Sequence, residues 1–459
     1  MPLVAGVDSS TQSCKVEVRD LDTGRLVASG RAAHPPTQPP RSEQDPQAWW
    51  EALVEAFGVV GHVASEVVSL GVEGQQHGLV VLDDARRPVR PAKLWNDTES
   101  APQATRLVER LGPGEWARRT GSVPVASFTV TKLAWLVDNE PDLLGHIAHV
   151  MLPHDYLDQR LTGVHATDRG DASGSGWVDP RTGTVDGEIL DLVGGRDDWA
   201  ALVPPVLDPH AVLGTVTADA AAATGLRAGT VVAAGTGDNM AAALGLGLRP
   251  GDLAISLGTS GVAYATSVTP TADPTGAVAG FADATGHYLP LVCTLNATKV
   301  TDTVARWLGY DHQTFADAAL SAPSGAGGVR LVPYFDGERT PNLPEATGTF
   351  EGLRNDTTRE QLARAAHEGV LRGLLEGLGA LDAAGASVGG RLHLVGGGAR
   401  SAAFRRILAN LHGAAVRVPE ADETVAVGAA VQAAMALGHR PLEIASAWNL
   451  GAGVDIDPV

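Results

Sequence analysis

Val7-Asp8-Ser9-Ser10-Thr11-Gln12-Ser13 and Ile255-Ser256-Leu257-Gly258-Thr259-Ser260-Gly261 follow one pattern. In each, an apolar run enters a short turn of small residues and leaves into a second apolar run. The central threonines, Thr11 and Thr259, stand about half a chain length apart. Small side chains in such a turn let backbone N–H groups approach an anion, and the Ser and Thr hydroxyls add donors. One copy would read as an ordinary hairpin turn, because Ser, Gly and Thr are common there. Two copies at half-chain spacing point instead to two related domains that grip one polyphosphate between them. Asp8 would lie beside that phosphate. Its charge is tolerable there only with a cation in between, and hydrated Mg²⁺ fits, which makes Asp8 the expected metal-holding residue.

Outward from these turns the chain alternates between strand and helix patterns. Residues 3–7 and 14–20 read as paired strands, and 67–72, 79–82, 92–95, 150–152 and 230–234 as further strands. Asp45-Pro46 reads as a helix start, with Asp45 as cap and Pro46 in the first helical position. A second helix is expected from Met240. In the other half, 253–257 and 262–266 flank the second turn and 392–395 is a strand. Residues 359–384 form a long amphipathic helix, apolar at Leu362, Ala365, Ala366, Val370, Leu374 and Leu378. Alternating strands and helices give an α/β fold. The division falls near Gly245–Gly251, so the expected domains are 1–246 and 247–459.

The 459 residues allow two to four domains. A net charge of −19 without a Lys/Arg run argues against nucleic acid or an anionic membrane surface as partner. No signal-like segment precedes the first strand, and the apolar stretch 231–248 carries Asp238, Asn239 and several glycines, so a cytoplasmic location is expected. With two cysteines, Cys14 and Cys293, free thiols are expected. The sequence leaves a homodimer open.

Three further segments suggest chemistry. Asp238 stands at a strand end before a helix, where a carboxylate can project into a cleft as a general base or merely cap the helix. Gln76 and His77 follow an apolar strand, at the edge where α/β sites gather. Trp95 could stack on a sugar face, with Asn96 and Asp97 bonding hydroxyls; its alternative is core packing. His154, Asp155, Asp168 and Asp171 could be read as a metal cluster, but their spacing lacks a ligand pattern, and solvated loop charges are the expectation.

Asp8 to Lys15, Gln75-Gln76-His77-Gly78, Leu94-Trp95-Asn96-Asp97, Gly237-Asp238-Asn239, Ser256 to Gly261, Gly337-Glu338-Arg339-Thr340-Pro341 and Gly396 to Ser401 occur in an order that resembles the FGGY family of carbohydrate kinases. The resemblance covers nearly the whole chain. It implies two ribonuclease-H-like domains of the actin-like ATPase type with the active site in the cleft between them. It implies ATP bound with Mg²⁺ by Asp8, Thr11, Gln12, Ser13, Lys15, Gly258, Thr259, Ser260, Gly397 and Gly398. Gln76, His77, Trp95, Asn96, Asp97, Asp238 and Asn239 would hold a small-molecule sugar, with Asp238 as catalytic base. The implied reaction is phosphorylation of D-xylulose at its 5-hydroxyl. A kinase for ribulose, gluconate or glycerol, and an actin- or chaperone-like ATPase, are the alternatives. The role of Glu338-Arg339 stays open, with a structural ion pair as one reading of Arg339.

Overall fold

Two mixed sheets built to one plan organise the chain, seen in a computed structural model that describes residues 2–421 and 423–459. The first runs in the order Leu26–Ala33, Ser13–Asp20, Leu3–Ser9, Val67–Gly74, Val231–Ala233, Val212–Thr215. The second contains the order Tyr288–Thr294, Gly261–Ala265, Leu253–Leu257, Leu392–Val395, Val416–Pro419, Gly453–Ile456, with Ala279–Ala282 added at one edge. The strand directions agree too. In each sheet the first three strands form an antiparallel meander, the next two pairings are parallel, and the last is antiparallel. The two turns singled out above are the same hairpin in the two copies. The expected pair of ribonuclease-H-like domains is what the topology shows.

Local chemistry explains most element boundaries. Pro46–Val60 is a helix whose cap, Asp45, accepts from the Gln47 N–H at 2.9 Å. Arg359–Ala383 is helical behind the Thr358/Gln361 capping box. Two expectations need correction. The strand expected over 92–95 is only Ala92–Lys93: Leu94 still donates to the Ser42 carbonyl, but its own carbonyl takes the Asp97 N–H at 3.1 Å in a turn. Pro153-His154-Asp155 is the first turn of a helix, Pro153–Thr162, and not a loop. Pro153 suits the first helical position, and the Asp155 carboxylate takes the Leu152 N–H at 2.8 Å.

The two halves are not separate in space. Helix Thr424–Ala436 belongs to the second half in sequence, yet it packs on strands Leu3–Ser9 and Val67–Gly74 and on helix Asp238–Gly245. Glycine makes this approach possible. A Cβ on Gly6 would fall 1.9 Å from the Ala426 carbonyl oxygen, and one on Gly428 would fall 1.9 Å from that of Ala241. The core here is continuous between halves, running from Val4 and Met240 through Val427 to Ala254 and Tyr264. Strand Leu3–Ser9, which ends at Asp8 and Ser9, and the helix that starts at Asp238 therefore rest on one support.

Candidate active site

Asp8 ends the central strand of the first sheet and is nearly buried. Ser10 donates its hydroxyl to the Asp8 carboxylate, and Lys15, directly opposite Asp8 across the hairpin, holds its Nζ 4.0 Å away while pairing with Glu423. Burial raises the Asp8 pKa; the Ser10 hydrogen bond and the Lys15 charge oppose this. The turn beyond is braced from outside. His34 donates its backbone N–H to the Gln12 carbonyl at 2.9 Å, and its Nδ1 is 2.8 Å from that of Ser10. Gln44 Nε2 donates to the Thr11 carbonyl at 3.0 Å. Thr11 Oγ1 meets Gln75 Oε1 at 3.3 Å and accepts from Trp95 Nε1 at 2.9 Å. Gln12 is exposed, Ser13 buried.

Asp238 is the first residue of its helix; Gly237 holds the cap position. Its Oδ1 accepts from the Asn239 N–H at 2.8 Å and from Asn239 Nδ2 at 2.9 Å. Asn239 Nδ2 also donates to Gln76 Oε1 at 2.7 Å, so base, amide and strand-edge amide form one chain. Desolvation, then the facing charge of Asp8, push the Asp238 pKa up to about 7. Gln76 keeps its Nε2 buried without a protein partner, as His77 does its Nδ1. The His77 ring stacks on Phe128 at 5.2 Å and lies 5.3 Å from Phe281. Burial above all, then the Lys132 and Arg339 charges, hold its pKa well below the usual value. The imidazole is therefore neutral, with a donor and an acceptor for a hydroxyl. Its backbone has a φ of 65°, and Gly174 makes room for the ring, since a Cβ there would lie 2.1 Å from His77 Cε1.

The second sheet faces this set with Gly258, Thr259 and Ser260 at its own hairpin, Gly258 and Thr259 being exposed. Thr298, first in helix Thr298–Leu308, fixes that turn by donating its N–H and hydroxyl to the Gly258 carbonyl at 3.0 and 2.9 Å. The glycine triplet divides by role. Gly396 has a φ of 84° and, like Gly398, lies against Leu257, whereas a Cβ on Gly397 would meet nothing within 4 Å. Gly397 is thus the open member, and a cavity of about 320 Å³ runs between it, Ser10, Asp238, Asn239, Ser256 and Arg400. The Asp238 carboxylate, Ser10 of the first turn, Ser256 on the strand that enters the second, and an open glycine share one cavity.

Some expected residues do not join this set. The Asp97 carboxylate is fully buried and already occupied: it accepts from the Ser42 N–H at 2.9 Å, from Lys93 Nζ at 3.1 Å and from the Glu99 N–H at 3.1 Å. It shapes the loop and has no face left for a sugar hydroxyl, which corrects the expectation for it. Asn96 is half-buried with Oδ1 unpartnered, and Trp95 is 37 % exposed, its indole N–H given to Thr11. Glu43, Asp97 and Glu99 are near enough to resemble a metal site, but Lys93 Nζ stands among them at 3.2, 3.1 and 2.6 Å and supplies the cation.

The reading of His154, Asp155, Asp168 and Asp171 as solvated loop charges is also overturned: all four are fully buried, as are Asp158 and Glu73. His154 Nδ1 lies 3.2 Å from Asp158, and its Nε2 lies 3.2, 3.3 and 3.6 Å from Asp155, Asp168 and Asp171. These acids hold the imidazole protonated against the opposing effect of burial. Desolvation raises Glu73, Asp155, Asp158 and Asp171. Asp168 passes the arrangement on, taking the Thr236 hydroxyl at 2.7 Å two residues before the base. Sequence spacing gave no sign of this joint burial, because its members come from three segments. Phe128, Phe281, Gln75 and Ser10 were likewise not singled out; only Ser10 and Gln75 stood inside quoted motifs.

Comparison with known proteins agrees with this geometry. Residues 3–245 match the N-terminal domain of the FGGY family of carbohydrate kinases, and residues 253–437 match its C-terminal domain. The chain belongs to that family. A xylulose kinase of Streptomyces coelicolor is 52% identical over 462 residues, covering 100% of this chain and 93% of the relative. One of Haemophilus influenzae is 35% identical over 452 residues, covering 95% and 91%. Among solved structures, xylulose kinase from Bifidobacterium adolescentis superposes with a TM-score of 0.90 at 42% identity, covering 100% of this chain and 97% of that one. An FGGY kinase acts on a small sugar with ATP, and no helix among the described residues is long and apolar enough to cross a membrane.

Proposed function

We propose that this FGGY kinase transfers the γ-phosphoryl group of ATP to the 5-hydroxyl of D-xylulose. The observation that carries the reading is the Asp238–Asn239–Gln76 chain beside neutral His77, set across the cavity from Gly397. Relatives named xylulose kinase over the full length of the chain support the choice of sugar. Gln76, His77 and Asn239 present donors and acceptors to the sugar hydroxyls. Asp238 accepts the proton of the attacking hydroxyl; a carboxyl near pKa 7 is matched to working pH. Thr11, Gln12, Thr259, Ser260 and Gly397 surround the phosphates with hydroxyls and backbone N–H groups. Burial raises the pKa of both Asp8 and Asp238, and the Asp8 charge raises Asp238 further, a pair of carboxylates whose charge Mg²⁺ would relieve. Bound there by Asp8, Mg²⁺ would supply charge neutralisation for the phosphates.

Domains 1–246 and 247–459 bring the two turns together on closing, which excludes water from the phosphoryl group. The free thiols Cys14 and Cys293 suit a cytoplasmic enzyme. The test is a side-by-side panel of ketoses and polyols in an ATP-coupled assay. D-xylulose is expected to exceed D-ribulose at least about tenfold in kcat/KM, equivalent to ~1.4 kcal/mol, because inversion at one carbon leaves buried polar groups unpaired. Glycerol, gluconate or ribulose as best substrate would overturn the assignment of the sugar.

A further inference from the structure

Glu338 and Arg339 divide the labour that their sequence left open. Glu338 is buried and spends both carboxylate oxygens on backbone and amide donors: Oε1 takes the N–H groups of Leu295 and Arg339 at 2.6 and 2.7 Å, and Oε2 takes Asn296 Nδ2 at 2.9 Å. This fixes the Arg339 backbone. The Arg339 guanidinium makes no hydrogen bond and no ion pair with any described residue, although it is half-buried. The expected structural ion pair is absent. A cation whose backbone is held in place and whose guanidinium lies on a cavity wall has its N–H donors free for a ligand there.

Its surroundings indicate which ligand. Arg339 lines a cavity of about 510 Å³ between the domains, a volume that suits a small molecule. Phe128 and Cys293 form part of the same wall. Phe128 stacks on the sugar-site residue His77, and Cys293 pairs with Val262 just beyond the second phosphate turn. The Arg339 charge is felt at His77, at Lys132 and at Cys293, and Cys293 also feels Asp238. Apart from Arg339, the only charged lining residue among the described residues is Glu109, which is exposed and makes no ion pair with it. The cavity is thus walled by Phe128, the ring on which His77 stacks, and not by the glycine triplet.

We propose that Arg339 is a specificity-determining residue that donates to the end of the sugar remote from the phosphorylated hydroxyl, the C1 hydroxyl and C2 carbonyl of a ketose. This inference rests on the ketose-kinase reading above. A guanidinium offers several donors in a fixed fork, which matches two adjacent oxygens on neighbouring carbons. Because Arg339 comes from the second domain and Phe128 from the first, the contact also couples sugar occupancy to the approach of the two domains.

The experiment compares wild type with Arg339→Met and Arg339→Lys on three acceptors: D-xylulose, 1-deoxy-D-xylulose, which lacks O1, and xylitol, which lacks the carbonyl. Activity of the wild type on D-xylulose tests the ketose-kinase reading by itself, before any variant is made. Arg339→Met should lower kcat/KM for D-xylulose by about 10- to 100-fold, the range for losing hydrogen bonds to a charged group. The KM for ATP should stay within about twofold. The loss should be at least about threefold smaller on one of the two truncated acceptors, and Arg339→Lys should restore part of the rate on D-xylulose. An unchanged kcat/KM for D-xylulose, or an equal loss on all three acceptors, overturns the proposal while leaving the kinase reading in place.

Discussion

Asp238 shows how far a single residue could be read and where reading stopped. Its place between a strand and a helix was visible, and the structure puts it at the first helical position with Asn239 and Gln76 attached. What spacing could not give is its acidity, which depends on burial and on Asp8, 230 residues earlier in the chain but across a shared helix in space. The consequence for rate has a definite sign. A base must be ionised to accept a proton, so kcat/KM should climb as pH rises through about 7. Asp238→Asn keeps the shape and the Asn239 contact but lacks the basic oxygen. Turnover should fall by about 10²–10⁴, the span for loss of a general base, and the residual rate should lose its rise near neutral pH. Turnover within a few-fold of wild type would remove Asp238 from the role. Asp97 teaches the opposite lesson. In sequence it stands beside Trp95 and Asn96 as a third polar group for a sugar, but the Lys93 ammonium and two backbone N–H groups consume it. Nothing in the spacing of 94–97 distinguishes a carboxylate that faces a ligand from one that closes its own loop.

At the scale of elements, hairpins and long helices were legible because their signals are local: Asp45-Pro46, the amphipathic run over 359–384, and the two small-residue turns. Helix Thr424–Ala436 was not, because it is apolar all round and its partner strands lie more than 350 residues away in the chain. Its identity as the support of the site is written in glycines whose purpose only appears on packing. Gly428→Ala would drive a methyl to 1.9 Å from the Ala241 carbonyl oxygen, a backbone atom that cannot swing aside. The helix must then retreat from helix Asp238–Gly245. Overpacking of this kind costs about 1–3 kcal/mol and occasionally more. Denaturant unfolding should show that loss, and turnover should fall with it because Asp238 begins the displaced helix. Gly379→Ala is the matched control. Gly379 is an exposed interior residue of helix Arg359–Ala383 with nothing within 4 Å of its Cβ position. The same chemical change there should stabilise by about 0.5–1 kcal/mol through helix propensity alone. Equal effects at the two glycines would contradict the packing account.

For the whole molecule, the duplicated plan was legible from two short turns, whereas the buried charge that braces the base was not. Glu73, His154, Asp155, Asp158, Asp168 and Asp171 lie on three separate segments, and sequence spacing gives no sign that they are buried together. Their joint burial makes global stability depend on pH in a predictable direction. Glu73 and Asp171 have pKa values raised well above their ordinary ones, and Asp158 is raised to about 7. Above the ordinary carboxylate range the folded state keeps protons that the unfolded chain has released, so their effect is to lower stability as pH rises. His154 is raised as well; its contribution is complete below the unfolded value and is lost as pH rises through the folded one. The slopes add. Buried neutral histidines such as His77, His165 and His367 act the other way, but only below the ordinary imidazole value, where the unfolded chain takes up protons first. Between about pH 7 and about pH 8 they are silent, and the acidic cluster, together with Asp238 at about 7, sets the trend. One retained proton lowers the unfolding free energy by about 1.4 kcal/mol per pH unit. The denaturant midpoint should therefore drop across that interval, and Glu73→Gln, which removes a carboxyl that must stay protonated, should flatten the drop and raise the midpoint at the upper pH. A midpoint that held level in wild type, or a slope that Glu73→Gln left untouched, would show that the cluster carries its charge some other way.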